Sequence, residues 1–325
     1  APATRPGVPQ EQGYKMRIGI VGAGLSGLAT AFYAKRARPD AHLVVFEANA
    51  GPGGAMHTEV IDGFRFEAGP NGFLTNKPDC LQLVQDSGAV EQLLPSSDLA
   101  RKRFIYTDRL HRMPESPPLF IKSKLLSWPQ KLRMVGEAFV PARREGPDES
   151  LRDFGNRRLG AGFTSVFLDA MSAGIYGSTP DKLSVEAAFP LVVALEREYG
   201  GLFRGMIAKR KKEAGPGGVL TSTKGGISTL ANHLWRVTDA DWHFGDPVSS
   251  VERAGAGFRI TSTSGVTDVD RVVICANSYA AAGMVQPLDA ELARRLAAIE
   301  YSPIAVVGFG YRSLPDPLDG FGLLT

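Results

Sequence analysis

Three glycines and one acid carry the first chemical signal in this chain. Gly22-Ala23-Gly24-Leu25-Ser26-Gly27 follows a short apolar run and precedes Leu28, Ala29, Ala31, Phe32 and Ala34 at helical spacing. A second apolar run, Leu43-Val44-Val45-Phe46, ends at Glu47, twenty positions after Gly27. The order strand, glycine turn, helix, strand, acid predicts a dinucleotide site. Gly22 permits a tight turn, Gly24 lets backbone approach a diphosphate, and Gly27 lets helix and strand pack closely. Free N–H groups and the dipole at the helix start favour the anion. Glu47 is placed to accept from ribose hydroxyls and to repel a 2′-phosphate. NAD and FAD share the adenosine diphosphate that such a unit reads, so both stay open on this motif.

The elements that must hold this site follow from the hydrophobic pattern. Arg17-Ile18-Gly19-Ile20-Val21 shows no alternation, as expected of a strand buried on both faces. Glu59 to Glu67 reads as a hairpin turning at Asp62-Gly63. The middle of the chain reads as helices over 131–139, 151–159, 163–171 and 227–237. Ser150 is the expected N-cap of the second, and Val166, Phe167, Ala170 and Met171 form one face of the third. Short strands are expected at 248–251, 258–261 and 271–274, separated by glycines. Residues 304–311 read as a further strand with nothing after it to pair with, so the sequence is expected to be incomplete at its C-terminus. Residues 1–15, with three prolines and two glycines, are expected to form a flexible leader.

Composition narrows the class. The chain has 325 residues, 43% of them apolar and 22% charged, which are globular values. Cys80 and Cys275 are too few and too scattered for a disulfide framework or a zinc site, and fit a reducing, cytoplasmic setting. Residues 101–144 hold eleven Lys or Arg against three Asp or Glu, although the whole chain carries only +3. Such a segment suits an anionic ligand or lipid. Phe120, Leu125, Leu126 and Trp128 alternate with Lys122, Lys124 and Lys131, so peripheral membrane contact is expected through 118–144. No nucleic-acid partner is expected. The chain has no HExxH, no nucleophile elbow with partners and no Cys/His cluster, so no hydrolase or metal chemistry is called for.

Further blocks extend the first signal. The pair Gly53-Gly54 soon after Glu47 lets a second backbone segment approach the cofactor, and Gly69-Pro70-Asn71-Gly72-Phe73-Leu74 follows the hairpin. With Lys102-Arg103-Phe104-Ile105-Tyr106, Ala173-Gly174-Ile175-Tyr176-Gly177, Lys224-Gly225-Gly226-Ile227, Asp246-Pro247-Val248 and Val272-Val273-Ile274-Cys275-Ala276, the chain from about residue 16 onward resembles the FAD-dependent amine oxidase superfamily. Within it the likeness is to the protoporphyrinogen oxidase branch, the porphyrinogen-oxidising enzymes of haem synthesis. The sequence departs from the family at Gly51, where Arg is common, and at Ala55 and His57, where other basic residues occur.

The resemblance implies an α/β fold: a Rossmann-like FAD/NAD(P)-binding domain interrupted by an inserted, largely helical α+β substrate domain. The expected boundaries are 16–75 with 220–290 for the FAD domain, and 76–219 with 291–325 for the substrate domain. It implies FAD as cofactor, held by Gly22, Ala23, Gly24, Leu25, Ser26, Gly27, Glu47, Ala48, Gly53, Gly54, Gly69, Pro70, Asn71, Val248 and Ala276. The substrate would be a porphyrinogen, either protoporphyrinogen IX or coproporphyrinogen III, with O2 as electron acceptor. Arg103 would clamp a propionate, Gly174 would let backbone approach the macrocycle, and Phe73 and Tyr176 would line its pocket. No side chain is expected to act as acid or base, because the flavin carries the chemistry. Other readings are an amine oxidase or carotenoid-type desaturase, and an inactive nucleotide-binding remnant. The basic segment argues against an amine substrate, which would want an aromatic cage.

Overall fold

The computed structural model describes residues 15–76, 78–97, 102–212, 218–314 and 320–325. The leader expected at 1–15 lies outside the described residues, apart from Lys15. The chain divides into two compact units, Ala1–Pro95 with Val219–Glu300 and Ser96–Gly218 with Tyr301–Thr325.

A four-stranded parallel sheet organises the first unit. Its order is Asp241–Phe244, His42–Glu47, Arg17–Val21, Arg271–Ile274, with Val21 between Phe46 and Ile274 in register. The lack of alternation has its reason here: both faces are covered. Leu43 and Val45 pack on one side with Ile20 and Ala31, while Val44 and Phe46 pack on the other with Val251 and Ile260. The helix Leu25–Ala37 leaves the glycine turn and buries Leu28 and Phe32 against Leu230 and Leu234 of the helix Ser228–Val237. The opposite layer is an antiparallel meander, Val248–Ala254, Gly257–Ser262 and Gly265–Val269. In the hairpin Thr58–Ile61 with Phe64–Glu67, Asp62 (φ 51°) and Gly63 (φ 82°) both take positive φ, as a tight two-residue turn requires.

The boundaries of this unit differ from those expected. The helix Pro78–Ser87 inserts Leu83 and Val84 into the core around Leu230, so residues 78–95 pack with the nucleotide fold. The helix Ala290–Ala297 packs on Ser278–Val285, with Ala293 buried, and joins the same unit. The cause is apolar side chains, each worth about 1.5–3 kcal/mol when buried, which the motifs on either side did not reveal.

The second unit is mainly helical, with a three-stranded sheet in the order Gly322–Leu324, Arg103–Tyr106, Leu110–Arg112. Ser150 caps Leu151–Arg158, accepting from the Asp153 N–H at 3.0 Å. The stretch expected at 163–171 is a continuous helix with a π turn, Thr164–Leu168, between Ala161–Phe163 and Asp169–Tyr176. Phe167 and Ala170 are buried there. Residues 304–311 are not a strand: they are irregular, and Ile304, Val307 and Phe309 are each at least 73% exposed. Among the described residues no ladder pairs with them, and an apolar run with β propensity gains nothing from extension without a partner.

Candidate dinucleotide site

At the carboxyl ends of the parallel strands lies a cavity of about 680 Å³ within the first unit. In open α/β sheets ligands bind at this edge, because the helix N-termini point there. The opening strand ends at Gly22, whose φ of +104° only glycine adopts freely. A Cβ on Gly27 would sit 1.8 Å from the Gly22 carbonyl oxygen, so glycine there is what lets the helix close onto the turn. A Cβ on Gly24 would meet nothing within 4 Å, so its open side faces the groove that it lines. Gly53 (φ +117°) and Gly54 (φ +57°) bring the second loop against the first. The Gly53 N–H donates to the Ala23 carbonyl at 2.8 Å, forming a bridge between Gly24 and Gly53. Two glycine turns thus make a floor of bare backbone, beside the helix start at Leu25 and Ser26.

Glu47 closes the second strand and is 7% exposed. Its carboxylate accepts from the Ala23 N–H at 2.7 Å, the Asn49 N–H at 2.9 Å and the Asn49 side-chain amide at 2.7 Å. A carboxylate offers about four acceptor positions. Three are filled by groups that fix its orientation, which leaves capacity on Oε2 for a hydroxyl in the groove.

Of the residues expected at the cofactor, Gly22, Gly24, Leu25, Ser26, Glu47, Ala48, Gly53, Gly54, Pro70, Val248 and Ala276 line the cavity. Ala23, Gly27, Gly69 and Asn71 do not. Ala23 and Gly27 support the turn from behind, and a Cβ on Gly69 would meet the Ala55 carbonyl at 2.1 Å, so it permits a close chain crossing. The sequence reading missed Phe46, Pro247, Asn277, Tyr279 and Met284, which also line the groove. Asn277 and Tyr279 follow the strand Arg271–Ile274, and the strand-end rule applied to that strand would have found them. The Asn277 amide donates to the Tyr279 hydroxyl at 2.7 Å. Cys275 also lines the groove, and burial pushes its thiol up, so it stays a neutral wall.

The groove has the features that a long ligand with a diphosphate and a ribose would need. The family model of flavin-containing amine oxidoreductases matches residues 25–323. The chain belongs to that family. It is 30% identical over 298 residues to the coproporphyrinogen III oxidase of Bacillus subtilis, covering 85% of this chain and 63% of that protein. It is 29% identical over 335 residues to the chloroplastic protoporphyrinogen oxidase of Oryza sativa, covering 94% of this chain and 62% of that protein. A solved structure from Exiguobacterium sp. 255-15, provisionally assigned as a protoporphyrinogen oxidase, superposes with a TM-score of 0.72 at 28% identity, over 85% of this chain and 62% of that one. Putrescine oxidase superposes with a TM-score of 0.58 at 16% identity, which shows the shared fold. The chain thus spans rather less than two thirds of the length of these relatives.

The expected substrate residues are divided. Phe73 lines the groove in the first unit. Arg103, Gly174 and Tyr176 belong to the second. Arg103 is exposed on its strand, with its guanidinium 5.5 Å from the centre of the Phe321 ring. Among the described residues no carboxylate pairs with it. Tyr176 donates from its hydroxyl to the Ala188 carbonyl at 2.6 Å and meets Phe189 edge-on, so its polar end is already committed. The helix that carries Gly174 ends at Gly177, whose φ is +57°. A Cβ on Gly174 would lie 2.4 Å from Leu324, so the space expected for a macrocycle is filled by that side chain.

The interfacial set at 118–144 also changes. Leu125 and Leu126 are buried with Ile105 and Phe167, and Phe120 packs against them. Lys131 is buried too, donating to the Ile121 and Ser123 carbonyls at 2.7 Å each, with its ammonium 5.0 Å from the Trp128 ring centre. What remains outside is a stripe of Trp128, Leu132, Val135 and Phe139, all at least 59% exposed.

Proposed function

We propose that this chain binds FAD in the groove above and takes part in the oxidation of a porphyrinogen to a porphyrin in haem synthesis. The observation that carries the reading is the pairing of Glu47 with a floor of two glycine turns, in a chain whose relatives are named for porphyrinogen oxidation. The donors and the open backbone fit the dinucleotide. First-turn N–H groups at Leu25 and Ser26 would meet the diphosphate, and Glu47 would accept from the adenosine ribose. Val248, Pro247 and Ala276 would wall the adenosine end.

FAD held between the glycine turns and Glu47 would supply two-electron oxidation: three rounds would take six electrons and six protons from a porphyrinogen, each round reducing one O2 to hydrogen peroxide. The chain's own part is to hold. Phe73, Met56, Leu83 and Ile227 give the groove an apolar wall. Arg103, exposed and with no carboxylate paired to it among the described residues, is our choice for gripping a propionate, since guanidinium and carboxylate match in plane and spacing.

Purified chain mixed with FAD and with each porphyrinogen in turn tests this. Porphyrin fluorescence rising above the enzyme-free blank, on protoporphyrinogen IX or on coproporphyrinogen III, is the expected outcome. A slope equal to the blank with both substrates would reject the reading.

We propose in addition that the stripe Trp128, Leu132, Val135 and Phe139, with Lys122, Lys124 and Arg133 near it in sequence, rests on anionic lipid. Co-sedimentation with vesicles of anionic phospholipid at low salt is expected, and Leu132→Glu should abolish it. Wild-type protein left entirely in the supernatant would dismiss the contact.

A further inference from the structure

Asp246 is a buried carboxylate that the proposed chemistry does not use. It is 5% exposed. Its Oδ1 accepts from the Ser264 N–H at 2.8 Å, and its Oδ2 accepts from the Ser262 hydroxyl at 3.0 Å and from the Ser264 hydroxyl. Burial pushes the Asp246 carboxyl up, but these hydrogen bonds outweigh it and hold the group below the usual carboxylate range. His243 stands over this cluster. Its ring stacks on Phe46 with centres 5.1 Å apart, and its nitrogens lie 3.8 Å from Asp246 and 3.3 Å from Asp241.

The backbone on either side of the carboxylate leads straight to the groove. The Asp246 N–H donates to the Glu47 carbonyl at 2.9 Å, and the Gly245 N–H donates to the Asn49 carbonyl at 2.9 Å. The next residues, Pro247 and Val248, line the cavity, as do Glu47, Ala48 and Asn49. The Pro247 carbonyl in turn accepts from the Thr263 N–H at 3.2 Å, inside the same turn that Asp246 grips. One side chain therefore fastens the meander turn 262–264 to the loop that is bonded to Glu47 and lines the groove beside it.

We propose that Asp246 is a positioning residue for the adenosine half of the dinucleotide: by gripping Ser262 and Ser264 it sets the Pro247–Val248 wall beside Glu47. This rests on the dinucleotide reading above. A buried carboxylate with three donors is rigid, and the loss of charged hydrogen bonds releases the loop that they hold. The wall then no longer meets the adenosine, while the remaining length of the groove is untouched.

The test is binding to the whole 325-residue chain, with FAD, ADP and flavin mononucleotide as separate probes. Asp246→Ala is expected to raise the Kd for FAD and for ADP by about tenfold while leaving that for flavin mononucleotide unchanged. Ser264→Ala should give a smaller loss in the same pattern, and Asp246→Asn, which keeps one acceptor oxygen, should recover part of it. An Asp246→Ala chain that holds ADP as tightly as wild type overturns the inference. So does an equal loss for all three probes, which would mark general loosening of the fold. Should that variant fail to fold, Ser264→Ala decides, and an unchanged ADP affinity there is equally fatal. Wild-type chain that binds neither FAD nor ADP defeats the dinucleotide reading and this assignment together; the other outcomes leave that reading standing.

Discussion

Glu47 does two things at once. Its three internal hydrogen bonds hold the turn at Ala23 and the loop at Asn49, and its open acceptor capacity faces the groove. Glu47→Ala should therefore weaken FAD by about tenfold or more, read by flavin fluorescence titration, because one charged hydrogen bond to a ribose is worth that much. A variant that keeps wild-type affinity would show that the ribose hydroxyls lie elsewhere. Arg103→Ala makes the complementary prediction: KM for a porphyrinogen should rise about tenfold with kcat held, as for a contact made equally in ground and transition states. An unchanged KM removes Arg103 from the substrate site. The turn and its acid were legible in the sequence because their roles follow from local spacing: Gly22, Gly24, Gly27 and Glu47 lie on one continuous βαβ run. Asp246 was not, since its side chain acts on Ser262 and Ser264, in a turn that no motif marks, whereas Tyr279 is found only by applying the strand-end rule to Arg271–Ile274. Lys131 misled for a related reason. Its charge predicted a solvated head, yet two carbonyls and the Trp128 ring satisfy it inside the fold.

At the scale of elements, the helical unit is tied by an ionic knot that no sequence pattern announced. Arg158 and Glu137 are fully buried and paired, and Glu137 also accepts from the Leu202 N–H at 2.8 Å. Arg158 further donates to the Val140 carbonyl at 2.9 Å and reaches Glu196, which pairs with Arg157 at 2.7 Å. Three chain segments, 137–141, 196–200 and the helix of Arg158 itself, meet at one guanidinium. Arg158→Ala leaves Glu137 buried without its counter-charge and should cost roughly 3–5 kcal/mol, seen as a lower urea midpoint. Ser150→Ala, which removes only the N-cap of the helix bearing Arg158, should cost about 1 kcal/mol. Equal losses from the two would mean that the knot is no better than a cap. Ser150 was predictable because capping is local, whereas the knot is not: 137, 158 and 196 share no periodicity. The run 304–311 failed in the opposite direction. It has the composition of a strand, but composition does not supply a neighbour, and in the structure its apolar side chains stay exposed.

For the molecule as a whole, the acids decide how it responds to pH. Burial pushes the Glu196 carboxyl up, but Arg157 and the Arg143 N–H outweigh it and hold it below its ordinary value. Arg152 lowers Asp181, Arg197 lowers Glu186, Arg259 lowers Asp268, Lys35 lowers Asp239, and Arg294 with Arg295 lowers Glu291. In every case the folded carboxyl titrates below the unfolded one. Such a group contributes stability above its unfolded pKa, and that contribution is lost as the pH falls towards and through the folded value. Most of these pairs are exposed and individually weak, so the buried ones, Glu196 and Asp246, set the slope. Because these two lie in different compact units, both units should lose stability over the same interval. Stability should accordingly stay flat from about pH 7 to 5 and fall below about pH 4, where ordinary carboxylates begin to protonate. Urea midpoints taken across that range check it. A midpoint that holds or rises as the pH drops to about 3.5 would mean that the ion pairs do not persist in solution.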